Sequence, residues 1–560
     1  MRTSRLGIPL FFLIVLGIVL IASIQVEQIT TIDLEEELEE EIEYIAPELL
    51  LREDKSVYSQ DADGDVDVFH VTVLPPSGIY RTMDYVNENL NYVSGEYATD
   101  SVDPQASIVL AVNDQEFQGT LELRGQSSRK EPQKSYKIKL FDDQGTFKDM
   151  QVLNLNKHYK DLLRIRNKLA YDLIEDIDGL VGLRTRFVRL YVTENDETED
   201  YGLFTLVEQP NKKFLTTHGL DADGQLYKAE FFEFLRYDGV LESESAPTYS
   251  EDKFNQLLEV RENPNHSKLI ALLERINNPL NNINDIVNNN FSKDNMLTWI
   301  AYNTLLDNYD SNSRNYLLYS PAYSHIWYFV PWDLDKTMRE KENVYWSFGI
   351  SNYWGVELFN RFFRDPTNRE ALIAKVEELY PLFAPEEMTR RLDLYQPVIE
   401  EHMLNSVDLT LYEEDIFPSR HRYGEVNNTE DFWTEYYRLA FIPSENRKRF
   451  YKSLERPYPF FIHYAYENAH RFSWDLAFDM QGDAVLYTLK LAADVEMTTV
   501  LYEETTGELS IELASIPEGV RYWSVTAIDT DGNEQISFNR IVEDGVIYTG
   551  VERFEATDEQ

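Results

Sequence analysis

The period at which apolar residues recur changes several times along this chain, and each change marks a different kind of segment. Residues 6–24, LGIPLFFLIVLGIVLIASI, form an uncharged apolar run of nineteen residues, long enough to cross a bilayer. Arg2 and Arg5 precede it and acidic residues follow it, which predicts an N-terminal membrane helix over 1–30 with the bulk of the chain outside the cytoplasm. A cleaved signal peptide is the alternative. Leu34, Leu38, Ile42, Ile45 and Leu49 then recur every three or four positions among glutamates, predicting an acidic helical stalk or spacer over 31–65. DADGDVD at 61–67 resembles the front of a calcium loop, but Thr72 stands where that loop needs an acid, so it reads as linker.

Beyond residue 66 the period falls to two. Residues 69–74, 107–112, 120–124 and 135–140 read as strands. In the last of these Tyr136, Ile138 and Leu140 share one face, and Ser135, Lys137 and Lys139 the other. With the polar loop 125–133 this predicts a hairpin whose tip and one face are basic, suited to a polyphosphate; a surface hairpin with solvated lysines is the plainer alternative. Residues 161–177 return to a helical period through Leu162, Ile165, Leu169 and Leu173. Residues 187–192 and 201–207 read as a strand pair; Glu208 and Gln209 follow at the place where a two-lobed nucleotide-binding fold puts its hinge. Residues 225–228, QLYK, start another strand. The stretch 241–475 is mostly helical, with candidates at 253–261, 267–276, 293–307, 368–383, 385–405, 428–441 and 450–470, the last interrupted by Pro457 and Pro459. Short alternating segments over 476–560, such as VLYTLKL and RYWSVTAID, predict a small β-sandwich. Strands followed by helices make the central region α+β.

One stretch, 305–337, carries the candidate chemistry. Asp310 is followed five residues on by Asn315. Two apolar runs, 316–319 and 326–330, flank a turn with Pro321, and the second leads through Pro331 to Asp333 and Asp335. Two short strands with carboxylates at their ends suit a divalent metal and a phosphate, because hard oxygen ligands hold magnesium and an unligated carboxylate can orient a hydroxyl. Protein kinases place a catalytic Asp five residues before a metal-binding Asn, with a further metal-binding Asp later. Asp310, Asn315 and Asp333 repeat that order. The competing reading is a turn in which Asp310 caps and Asp333 seals a loop.

Charge and composition narrow the classes. The formal charge is 52 − 99 = −47, which repels nucleic acid and anionic lipid and favours cations and basic partners. Tyr 36 and Phe 30 supply a large core and argue against general disorder. The absence of cysteine excludes disulfides, thiol catalysis and cysteine zinc sites.

Taken together, RGQSSRKEPQKSYKIKL, LLRIRNKLAYDL, YGLFTLVEQPNKKFL, LYK, the Asp310–Asn315 segment and VPWDLDKT occur in an order that resembles the CotH kinase family across roughly 66–475. The resemblance implies a two-lobed, atypical protein-kinase-like domain, and ATP- and Mg2+- (or Mn2+-) dependent phosphorylation of serine or threonine in a surface or coat protein. It implies Asp310 as catalytic base, Asn315 and Asp333 as metal ligands and Asp335 as a supporting carboxylate. It implies Lys139, or else Lys137, on the phosphates. The segment Arg124, Ser127, Ser128 and Arg129 would cover those phosphates, and Glu208 and Gln209 would form the hinge against adenine. The chain departs from ordinary kinases in having no G-x-G-x-x-G, HRD or DFG, and Asp172, Glu175 and Asp176 offer the lysine no obvious partner. Two other function classes stay open: a non-catalytic surface or coat-assembly protein, and a metal-dependent hydrolase using Asp333 and Asp335.

Overall fold

The structure, a computed structural model, describes residues 51, 53–60, 64–88, 92–93, 96–97, 103–125, 127–159, 161–338, 348–404, 407–408, 429–543 and 546–554. The expected membrane helix and the first twenty residues of the expected stalk lie outside the described residues. Among the described residues no helix is long and apolar enough to cross a membrane.

The end of the expected stalk is not a spacer. Residues Lys55–Gln60 form a 3-10 turn with Val57 and Tyr58 buried against the body. From there seven strands close a barrel: β1 (Val66–Val73), β2 (Gln105–Val112), β3 (Gln115–Arg124), β4 (Ser135–Leu140), β5 (Val152–Asn156), β6 (Thr185–Glu194) and β7 (Glu197–Val207), in the order β1-β2-β3-β4-β5-β7-β6. Neighbours are antiparallel except β1 and β6, whose parallel pairing closes the ring. Period-two alternation builds this barrel. Phe69, Val71, Ile108, Leu110, Ile138, Leu153 and Leu206 turn inward to one core, as pleated strands require.

Helix α1 (Arg166–Ile174) starts later than its period predicts. His158 and Arg164 adopt left-handed φ values of 47° and 59°, and Asp161 instead accepts the backbone N–H groups of Leu163 and Arg166 at 3.1 Å. After α1 a four-stranded sheet runs β9-β8-β10-β11, from β8 (Gln225–Ala229), β9 (Leu258–Glu262), β10 (Tyr316–Ser320) and β11 (Tyr328–Pro331). The expected helix over 253–261 is a short helix, Glu251–Asn255, followed by edge strand β9. Behind the sheet lies α2 (Lys293–Leu305), buried from Asn295 to its end. Trp299 stacks on Phe329 at 4.8 Å, and Asn295 accepts the Phe329 N–H at 2.7 Å while donating to its carbonyl at 3.0 Å. Helices α3 (Pro366–Leu379), α4 (Pro385–His402), α5 (Thr429–Arg438) and α6 (Ile442–Ser453) complete the body.

The chain beyond α6 is β-structure from residue 462, not 476. The expected helix over 450–470 ends at Ser453, and β12 (Ile462–Tyr466) and β13 (His470–Trp474) follow. Two small sheets share one core in which Phe472 meets Trp523 at 5.0 Å and Trp474 meets Tyr487 at 5.5 Å.

Candidate functional site

The hairpin β10–β11 assembles the acidic side of the site by register alone. Tyr316 pairs with Pro331, so the residues entering β10 lie beside those leaving β11. Asn315 and Asp333 therefore become neighbours of one opening, each in a left-handed backbone state with φ of 58° and 55°. Such conformations are uncommon outside glycine and cluster at functional sites. The Asn315 N–H donates to the Ala229 carbonyl at 3.2 Å, and its side-chain nitrogen donates to Asp310 Oδ2 at 3.0 Å. The turn Tyr309–Ser311 after α2 carries Asp310, whose Oδ1 lies 4.0 Å from the Arg314 guanidinium. Arg314 in turn covers the Phe231 ring at 4.1 Å.

The hairpin tip between β3 and β4 forms the opposite wall. A cavity of about 410 Å³ separates the two and is lined by Arg124, Gly125, Ser128, Asp310, Asn315, Asp333 and Asp335, together with Lys228, Arg314 and Lys336. Asp333 is among its lining residues and is exposed to solvent. Its surroundings of protein and the charge of Asp335 push its pKa up to about 6, more than Arg124, Lys228 and Lys336 offset. Arg124 lies 5.9 Å from the Trp332 ring, and burial lowers its pKa against the pull of Asp333.

Not every expected residue reaches this cavity. Arg129 is a strut: it grips Asp103 with two bonds of 2.6 and 2.7 Å and donates to the Gly125 carbonyl. Gly125, at φ 89°, must be glycine because a Cβ there overlaps Ser128 Oγ. The side chain of Ser127 lies outside the described residues. Lys137 and Lys139 stand on the outer face of the barrel, since the inner positions of β4 are taken by Tyr136, Ile138 and Leu140. Lys137 pairs with Glu122 and Lys139 is exposed. Neither is among the residues lining the cavity.

Glu208 and Gln209 are likewise committed elsewhere. Glu208 is buried, accepts from Arg184 at 2.7 Å and contacts His218 Nε2 at 2.8 Å, and its N–H donates to the Arg184 carbonyl at 3.0 Å. Gln209 accepts from Asn154 at 2.9 Å. Asp172 and Asp176 on and after α1 serve the fold by pairing with Lys168 and Arg391.

Reading the sequence missed Lys228, Lys336, His158 and Arg314. Lys228 is the charged residue of β8, a strand otherwise buried at every position, and its Nζ lies 2.5 Å from Glu230 and 3.7 Å from Glu259. That isolation in QLYKA is the signal that distinguishes it from the lysines of β4.

With this geometry in view, the family described as CotH kinase protein matches residues 121–435, more than half the chain, from within β3 to within α5. The chain is also 27% identical over 237 residues to the inner spore coat protein H of Bacillus subtilis (strain 168), covering 42% of this chain and 63% of that protein. The alignment thus spans a little under two thirds of that relative. The matched region contains both walls of the cavity, and the chain belongs to the CotH kinase family.

Proposed function

We propose that this chain is a protein kinase acting outside the cytoplasm, moving the terminal phosphoryl group of ATP to a serine or threonine hydroxyl of a surface or coat protein. The observation that carries this reading is the meeting of Asp310, Asn315 and Asp333 with Arg124 and Lys228 around one cavity. The residues fit a magnesium or manganese ion. Their donors are oxygens, and Asp333 and Asp335 line the cavity together. Among the described residues no three His, Asp or Glu side chains form a ready cage. Magnesium needs only one or two protein carboxylates, because it keeps waters and takes phosphate oxygens. Bound at Asn315 and Asp333, such an ion supplies charge neutralisation to the transferring group.

The protein's own groups do the rest. Arg124 and Lys228 hold the polyphosphate, so Lys228 takes the part expected of Lys139. Asp310 orients the acceptor hydroxyl and takes its proton as the hydroxyl oxygen bonds to the γ-phosphorus and the β–γ bridging oxygen leaves with ADP. Fixed positioning and charge are sufficient in kind for this transfer. The uncharged run at 6–24 behind Arg2 and Arg5 supports a location beyond the membrane, and the charge of −47 favours a basic acceptor. The coat setting rests on the spore coat relative.

Transfer of labelled phosphate from ATP with magnesium or manganese is the test. Asp310→Ala and Asp333→Ala should each lower the rate by about a hundredfold or more. Undiminished transfer in both variants overturns the assignment. A chain that neither transfers label nor gains stability from ATP plus magnesium is instead a non-catalytic scaffold.

A further inference from the structure

His158 lines the same cavity on a side that the kinase reading does not use. It follows β5 and precedes the Asp161 turn, and its backbone sits at φ 47°. Its ring nitrogen Nε2 is shielded from solvent and has no hydrogen-bond partner among the described residues. Burial keeps the ring uncharged at neutral pH, with a pKa lowered to about 4. The fold thus bears two costs at one position: a sparsely populated backbone state and an orphaned polar atom. Neither has a return within the protein, since a residue such as asparagine suits the left-handed backbone as well as histidine does. Unsatisfied buried polar atoms and strained backbone collect where a ligand completes the site.

The ligand class follows from the neighbours. The charges of Asp161 and Arg164 act on the His158 ring, and so do those of Asp333 and Arg124, which line the same cavity. Those last two are the residues that the proposed function assigns to the metal and to the phosphates. We infer that His158 is a phosphate-binding residue: its imidazole donates an N–H hydrogen bond to a phosphoryl oxygen of the bound polyphosphate. This rests on the kinase reading of the cavity, and it adds a donor that fixes the phosphate chain.

Titration of the full chain with ATP plus magnesium, and separately with tripolyphosphate plus magnesium, tests this by calorimetry and melting. His158→Asn removes the imidazole and keeps a residue suited to the backbone. It should raise the dissociation constant of both probes about tenfold, the worth of one lost hydrogen bond to a charged group. The ligand-free melting midpoint should stay level or rise, because the orphaned nitrogen is gone. His158→Gln, which keeps an N–H donor on a longer side chain, should recover part of the affinity. Wild-type affinity in His158→Asn overturns the inference. So does a loss confined to ATP, which moves the contact to the nucleoside, or a loss matched by a lower melting midpoint in both variants, which assigns His158 to the fold. Failure of the wild-type chain to bind either probe defeats the kinase reading itself and is distinguishable from all three.

Discussion

Asp333 and Asp335 are two carboxylates at the base of one cleft, and what they do depends on pH. The folded pKa of Asp333 is raised from 3.8 to about 6. A raised acid binds its proton more tightly when folded, so its favourable contribution is full below the unfolded value and is lost as pH rises through about 6. Asp333→Asn should therefore raise the melting midpoint of the ligand-free protein at pH 7.5 and leave it unchanged near pH 3.5. A divalent cation reverses this balance, because it must compete with the proton. Magnesium or manganese should bind about tenfold more weakly at pH 5 than at pH 7.5, and Asp333→Asn should abolish that difference. Melting scans over a cation titration at the two pH values check both. The acidic half of the cleft was legible in the sequence, because an antiparallel hairpin necessarily brings the residues before its first strand beside those after its second. The basic half was not. Lys137, Lys139 and Lys228 all stand on strands, and only closure of the barrel turns the first two outward.

Among the elements, the strands with clean period-two alternation were legible, and those that misled have identifiable causes. β5 is short and was passed over. The apolar residues of β9 also fit a period near 3.6, which predicts helix there. The break before α1 depends on Asp161 and on two left-handed residues that no apolar pattern records. A similar hidden contact fixes β7. Asp408 is fully buried against Gly202, accepts the Leu203 N–H at 2.7 Å and pairs with Lys157 at 2.5 Å. Gly202 has φ 79°, and a Cβ there would overlap the Asp408 carboxylate. Burial drives the Lys157 pKa down to about 7 despite Asp408, whose charge adds to the hydrogen bonds that the amine donates to the Tyr201 and Leu203 carbonyls. Asp408→Ala should destabilise the fold by about 3–5 kcal/mol by leaving a buried amine without its counter-charge. The double variant Asp408→Ala with Lys157→Met should recover much of that loss. Urea unfolding of the two single variants and the double provides the cycle; a purely additive result removes the pairing from the account.

At the scale of the whole molecule, segments outside the family match are packed onto it and not merely tethered. On the C-terminal side Tyr458 stacks on Trp354 at 4.1 Å, and Phe478 lies 5.5 Å from the same ring. On the N-terminal side residues 53–60 form a strap. Lys55 donates to the carbonyls of Ile174, Ile177 and Leu180 at 3.1–3.2 Å, satisfying backbone at and beyond the end of α1. Glu53 meets His218 Nδ1 at 2.5 Å, while Glu208 holds the other ring nitrogen and Arg184 neutralises Glu208. Tyr58 donates to Glu53 at 2.5 Å and accepts from the Gly182 N–H at 2.9 Å. A histidine between two carboxylates has its protonated form favoured. Its pKa is raised because the bonds and charges of Glu208 and Glu53 outweigh the cost of burial. A raised histidine contributes stability that is full below its unfolded value near 6.5 and lost as pH rises through the folded value. Deprotonation leaves the ring one donor for two acceptors, so Glu53 or Glu208 loses its bond. Hydrogen-exchange protection factors of residues 53–60 should then fall by up to about tenfold for each pH unit above the raised value. His218→Gln should be less protected than wild type at pH 6 and show no such step. Protection that is flat from pH 6 to 9 in the wild-type chain means that Lys55 and Tyr58 alone hold the strap.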